Sequence, residues 1–296
     1  MQHNGRRARM SELIARITEE VLAALAGGPP VVTAGVIAAP EDGVVAVGDK
    51  MLVRADGSRL GGLGGGALEE AVAAACLAAL PRHAVETLRF RADGTLVEER
   101  HAPADYEVLI EVIEAPAKLV VVGGGHIGRS LCKIAAEVGF SVTVIDDRPE
   151  YAYPERFPEA DQVICADFED ALTALPSDTN TYFVLVTRGH KQDELSLRVV
   201  LRKPWAYVGM IGSKRRTTAV LMHLEEEGFP RELLDRVHTP IGLDIGAETP
   251  EEIAVSIVAE LIMVRRGGTG WQMYYRRGRG DRSVEVDEAT AGSATG

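Results

Sequence analysis

Residues 119–148 read Leu-Val-Val-Val-Gly-Gly-Gly-His-Ile-Gly-Arg-Ser-Leu-Cys-Lys-Ile-Ala-Ala-Glu-Val-Gly-Phe-Ser-Val-Thr-Val-Ile-Asp-Asp-Arg, and this stretch decides the fold. The apolar run 119–122 predicts a strand buried on both faces. Gly123-x-Gly125-x-x-Gly128 follows it at once, helical spacing continues to about residue 138, and a second apolar strand, 141–145, ends in Asp146. Strand, glycine turn, helix, strand and terminal acid are together the parts of a dinucleotide fingerprint. Gly123 permits the tight turn, Gly125 lets the backbone approach a pyrophosphate, and Gly128 lets helix and strand pack closely. The helix start offers unbonded amides and a partial positive charge to phosphates. The plainer alternative is a glycine turn that packs the fold and binds nothing.

Working toward the C-terminus, strands at 161–165, 182–186 and 206–211 alternate with helices at 168–175, 193–201 and one opening at Ser213. Apolar strands joined by crossover helices predict an α/β fold with a parallel, doubly wound, Rossmann-like sheet covered on both faces. The final helix opens with Thr249-Pro250-Glu251-Glu252, which supplies an N-cap, a first-position proline and a capping-box glutamate. Between the second and third strands lie Tyr151, Tyr153, Pro154, Phe157 and Pro158. The prolines oppose a regular helix there. An aromatic loop is expected to overhang the place of an adenosine, or else to pack against the first domain.

Toward the N-terminus, residues 11–26 have helical periodicity and are stopped by Gly27-Gly28-Pro29-Pro30. Strand-like runs follow at 31–38, 44–47 and 50–54, then a glycine cluster within 61–66 and an Ala-rich helix over 68–80. Further strands are expected at 84–92, 95–100 and 106–113, which makes this a smaller α+β domain. The boundaries are 1–115 for that domain, 116–275 for the Rossmann-like domain, and 276–296 for a Gly-, Arg-, Ser- and acid-rich tail expected to be disordered.

Composition narrows the function. The chain has 296 residues, 46% hydrophobic and 26% charged, with a net charge of −12 and only 5% aromatics. Acidic balance and scarce aromatics argue against nucleic-acid binding. No apolar run approaches the roughly 20 residues that span a bilayer, so stable membrane insertion is not expected. No signal-peptide core follows the N-terminal arginines, and a cytoplasmic location is expected. Cys76, Cys132 and Cys165 have no paired spacing and read as buried small hydrophobes rather than disulfides or zinc ligands.

Three clusters carry the candidate chemistry. In the first, Gly123, Gly125, His126, Ile127 and Gly128 would cradle phosphate. Asp146 would accept from a ribose hydroxyl and Arg148 could instead serve a phosphate, which leaves NAD(P) open. The second is Gly212-Ser213-Lys214-Arg215-Arg216, whose cations oppose the dipole of the helix they start and therefore suggest an anion; a solvated basic face is the bland alternative. In the third, Thr187, Arg188 and His190 leave the end of a strand at the same sheet edge. His190 with Asp193 is either an acid–base pair or a helix cap. No catalytic residue and no metal ligand is assigned. The loop His238-Thr239-Pro240-Ile241-Gly242-Leu243-Asp244 precedes the capped helix.

At these residues the chain resembles the XdhC/CoxI family, accessory factors of molybdenum hydroxylases such as xanthine dehydrogenase. The match rests on residues 121–127 with Asp146-Asp147-Arg148-Pro149, on Arg188-Gly189-His190, on Gly209-Met210-Ile211-Gly212-Ser213, and on residues 240–244 with Pro250-Glu251-Glu252-Ile253-Ala254. Lys50-Met51-Leu52-Val53 and residues 64–69 extend it into the small domain. Residues 38–42 depart from the loop of many members, and Ala67 stands where some carry cysteine. The resemblance implies a maturation chaperone rather than a catalyst. Such a protein binds molybdenum cofactor (molybdopterin or its dinucleotide form), protects it during sulfuration and delivers it to the apo-hydroxylase. The implied partners are that hydroxylase and a cysteine desulfurase or sulfurtransferase, and a homodimer is expected. The junction of the two domains, near Gly61 to Gly66, is the expected shielded cleft. The alternatives are an NAD(P)-dependent oxidoreductase and a dinucleotide-sensing module.

Overall fold

The structure is a computed structural model describing residues 2–99 and 101–272, so the tail 276–296 lies outside the described residues. In the N-terminal part, α1 (Gln2–Leu25) precedes β1 (Val31–Ala38), β2 (Lys50–Arg54), β3 (Arg59–Gly61), α2 (Gly66–Ala79), β4 (Val85–Phe90) and β5 (Tyr106–Ile113). These strands form one antiparallel sheet in the order β3-β2-β1-β5-β4. Alternation places Tyr106, Val108 and Ile110 of β5 against α2, where Leu68, Val72 and Cys76 complete the core. On the other face Ile17 and Ala24 of α1 pack on Val31, Leu52 and Leu60.

Two expected strands do not form among the described residues. Residues 44–47 form bends in which only Val45 is buried, while the Ala46 amide donates to Asp49 Oδ2 at 2.9 Å. The local side chain takes the amide a ladder would use, and the chain meets β1 only afterwards, through Gly48 and Asp49 on Val36. Residues 95–99 make a single bridge, Leu96 to Phe90, and Arg100 lies outside the described residues.

The second part contains β6 (Lys118–Val122), α3 (His126–Glu137), β7 (Ser141–Asp146), β8 (Gln162–Cys165), α4 (Phe168–Ala174), β9 (Thr181–Leu185), α5 (His190–Val200), β10 (Tyr207–Met210), α6 (Lys214–Glu226), α7 (Arg231–Leu234) and α8 (Pro250–Arg266). Its sheet is parallel, in the order β10-β9-β6-β7-β8. Leu119 and Val121 face α3 and α8, whereas Val120 and Val122 face α4, α5 and α6. Burial on both faces is why β6 is continuously apolar. The chain runs outward from β6 to β8, then crosses back to β9. The strand order therefore reverses between β6 and β9, and a crevice opens there at the carboxyl edge.

Cys165, at the end of β8, is exposed, which corrects its expected burial. It closes β8, the edge strand of the sheet, whose two ends are exposed. Cys76 and Cys132 are buried as expected, and burial pushes both thiols up to about 12.

A clasp joins the two parts at the opposite, amino edge of the parallel sheet. Glu114 receives His83 Nδ1 at 2.7 Å and Arg265 Nη2 at 3.1 Å, and Arg266 donates to the His83 carbonyl. A cavity of about 390 Å³ lies there, lined by Pro29, Pro30, Glu114, Lys118 and Asn180 among others. The expected cleft at Gly61 to Gly66 is thus not the junction: Glu69 folds back on that loop and accepts the amides of Leu63 (2.7 Å) and Gly65 (2.9 Å).

Candidate functional site

Three helices begin side by side along the carboxyl edge: α3 after β6, α5 after β9 and α6 after β10. Their N-caps, Gly125, Gly189 and Ser213, make no side-chain capping hydrogen bond. In contrast, Asp167 caps α4 and the Thr249–Glu252 capping box closes α8 as its sequence requires. The Gln192 and Arg216 amides bond back to the carbonyls of Gly189 (3.0 Å) and Ser213 (2.9 Å), and the amides before them in α5 and α6, with those opening α3, are left for solvent or an anion.

The glycines divide by role. A Cβ on Gly128 would lie 1.9 Å from the Gly123 carbonyl oxygen, and one on Gly123, whose φ is +117°, would lie 2.5 Å from the Val186 oxygen. Both are packing requirements. A Cβ on Gly125 or Gly189 would meet nothing within 4 Å, so the backbone is approachable there.

Ser213, Lys214, Arg215 and Arg216 are exposed, and none of the three cations has an ion-pair partner among the described residues. Each cation at a helix start costs about 0.3–1 kcal/mol. Their cluster lies two strands from Gly125, about 10 Å at ordinary strand spacing. Gly125 and the start of α6 thus share one edge, while the Ile127 side chain packs against the core beneath α3. His126, by contrast, lines a cavity of about 480 Å³ with Arg129, Lys133 and Arg156 on the outer flank of α3.

Asp146 does not offer itself to a ribose. It is 1% exposed, and its carboxylate accepts from the amides of Gly124 (2.8 Å) and Arg148 (3.1 Å) and from Arg148 Nε (2.9 Å) and Nη2 (3.0 Å). Burial acts to raise its pKa, but the hydrogen bonds from Arg148 and Gly124 and the guanidinium charge outweigh it and hold the carboxyl below its ordinary range. Asp146 and Arg148, expected at a ribose or a phosphate, are here paired with each other. The 150–159 loop closes over this side as expected of an overhanging loop. Tyr151 stacks on Arg148, and Arg156 donates to the Gly124 carbonyl at 3.2 Å.

Asp193 acts on the loop before it: its Oδ1 accepts from the Thr187 hydroxyl (2.7 Å) and amide (3.1 Å). Arg188 reaches across the end of β6 to Asp147, at 3.0 Å. The backbone of His190 opens α5, but its side chain lies outside the described residues.

Sequence reasoning missed the hub beside β10. Glu260 accepts from Tyr207 Oη (2.7 Å), the Gly242 amide (2.7 Å) and His238 Nδ1 (2.9 Å), tying residues 238–242 to α8. Gly209 makes room for the loop, since a Cβ there would lie 2.4 Å from Ile241. The available signal was an acid within the apolar stripe Ile253, Ile257, Leu261. A buried acid on a core-facing helix must be hydrogen-bonded.

Fold and rim define a Rossmann-type protein carrying a small α+β domain and a cationic carboxyl edge. The XdhC Rossmann domain family matches residues 119–261, and the XdhC and CoxI family matches residues 24–91, together well over half of the chain. The chain belongs to the XdhC/CoxI family. Among curated proteins it is 34% identical over 227 residues to YqeB of Escherichia coli (strain K12), an uncharacterized protein, covering 76% of this chain and 42% of that one. It is also 34% identical over 166 residues to a probable xanthine dehydrogenase subunit of Bacillus subtilis (strain 168), covering 56% of this chain and 48% of that one. The chain thus spans less than half the length of these relatives. A solved structure described as a xanthine dehydrogenase from Bacillus halodurans aligns with a TM-score of 0.49 and 23% identity, over 85% of this chain and 96% of that one. No described helix is long and apolar enough to cross a membrane.

Proposed function

We propose that this chain is a cytoplasmic, homodimeric accessory protein that holds molybdenum cofactor on its carboxyl rim and delivers it to a xanthine dehydrogenase-type apo-hydroxylase. A cysteine desulfurase or sulfurtransferase is the partner during sulfuration. The observation that carries the reading is the cation cluster Lys214, Arg215 and Arg216, unpaired among the described residues, at the uncapped start of α6. Molybdopterin carries a phosphate and its dinucleotide forms a pyrophosphate, and either matches cations and free amides set along one edge. Ser213, Lys214 and Arg215 would hold that group, with the first amides of α3 and α5 beside them. The cofactor's molybdenum chemistry belongs to the hydroxylase; this chain's residues bind and orient. Against the NAD(P)-dependent oxidoreductase alternative stands the engagement of Asp146 by Arg148 and the Gly124 amide.

The test is retention. Protein expressed in a pterin-producing host should co-purify with pterin, measured by fluorescence after oxidation. Lys214→Glu with Arg215→Glu should lower the bound fraction at least tenfold with an unchanged melting temperature, because both side chains are exposed. Unaltered retention in the double variant rejects the rim as the site.

A further inference from the structure

At the end of β7 the protein itself takes up the acid of the fingerprint. An ionised carboxylate has about four acceptor positions, and Asp146 uses them on the Gly124 amide, the Arg148 amide and two guanidinium N–H groups. In a dinucleotide fingerprint the acid at this strand end receives ribose hydroxyl donors. Here the Arg148 fork makes the equivalent approach, Nε to Oδ1 and Nη2 to Oδ2. Tyr151 roofs the fork, its ring centroid 3.7 Å from the guanidinium carbon. The roof is fixed from below, because Gly124 sits so close to the Tyr151 carbonyl that a Cβ would lie 2.3 Å from that oxygen. Arg156, 5.2 Å from the same ring, bonds the Gly124 carbonyl and closes the side.

We infer that Arg148 and Tyr151 form a built-in plug in which the guanidinium stands in for a ribose diol. The rim therefore admits a ligand by its phosphate or pyrophosphate and excludes adenine dinucleotides that depend on the acid–ribose contact. The rest of the ligand lies over the ends of β9 and β10, where Gly189 and the start of α6 are open. This deepens the proposed function and rests on it for the phosphate alone.

Isothermal titration of the full chain with NAD and with inorganic pyrophosphate tests the plug. In the wild type, NAD should bind no more tightly than pyrophosphate, the nucleoside adding nothing. Arg148→Ala should tighten NAD at least tenfold and leave pyrophosphate within twofold. Tyr151→Ala, which spares the ion pair, should give a smaller gain. Should Arg148→Ala fail to fold, Arg148→Lys keeps the charge, loses the fork and must still gain NAD affinity. NAD bound tenfold more tightly than pyrophosphate by the wild type overturns the inference. So does a folded position-148 variant with no gain. The two readings fail separately: pterin retention depends on Lys214 and Arg215, whereas the response of NAD to residue 148 reports only the plug.

Discussion

Glu260→Ala removes the acceptor on which three donors converge, and the structure sets the size of the loss. Tyr207 is 1% exposed, so its hydroxyl finds no water when the carboxylate goes, and the Gly242 amide is left behind the same side chain. A stranded buried donor costs about 1–3 kcal/mol, and two of them with the truncated side chain give a loss of about 4 kcal/mol. Glu260→Gln keeps the volume and a carbonyl acceptor and should lose about 1–2 kcal/mol, the margin of charged over neutral hydrogen bonds. Denaturant titration at pH 7 measures both. Acid supplies the sign. Burial acts to raise the Glu260 pKa, but the hydrogen bonds of His238, Tyr207 and the Gly242 amide prevail and hold it below the ordinary 4.5. A carboxylate depressed on folding contributes stability above its unfolded value and loses it as pH falls toward the folded one. The gap between wild type and Glu260→Gln should therefore shrink below about pH 4.5. A loss under about 1 kcal/mol in the alanine variant, or a gap that widens in acid, would refute the hub.

Other expectations are simpler. Gly128→Ala should abolish cooperative unfolding of the parallel-sheet domain, since its Cβ would overlap the Gly123 oxygen; Gly125→Ala, in open space, should melt within a few degrees of wild type yet retain less pterin. Thr249→Ala should cost about 1 kcal/mol in thermal or denaturant unfolding by removing one half of the capping box. Of the three cysteines, Cys165 should react rapidly with an aromatic disulfide reagent in the native state, while Cys76 and Cys132 wait for unfolding.

The parallel sheet was legible because its signals are local and mutually consistent. The β6 run, the glycine turn and the Thr249 capping box each demand one backbone geometry, and each adopts it. The three-residue β3 and the bends at 44–47 were not legible, because pairing rather than β-propensity decides such short pieces. At the site, the glycines and the α6 cations could be placed from their motifs. The orientation of Asp146 could not, since a terminal acid reads the same whether it faces a ligand or an arginine two residues on. The Glu114 clasp joins positions from His83 to Arg266, a separation no local pattern records.

That clasp has a mechanical consequence. Because the smaller lobe is moored at the far margin of the β platform, it does not cover the cationic start of α6, where Ser213 to Arg216 are exposed among the described residues. A visitor as bulky as a folded enzyme can press against it without any hinge having to swing. On the role proposed above, cargo resting there would pass by direct surface-to-surface handover, with the receiving protein, not the carrier, supplying the lid.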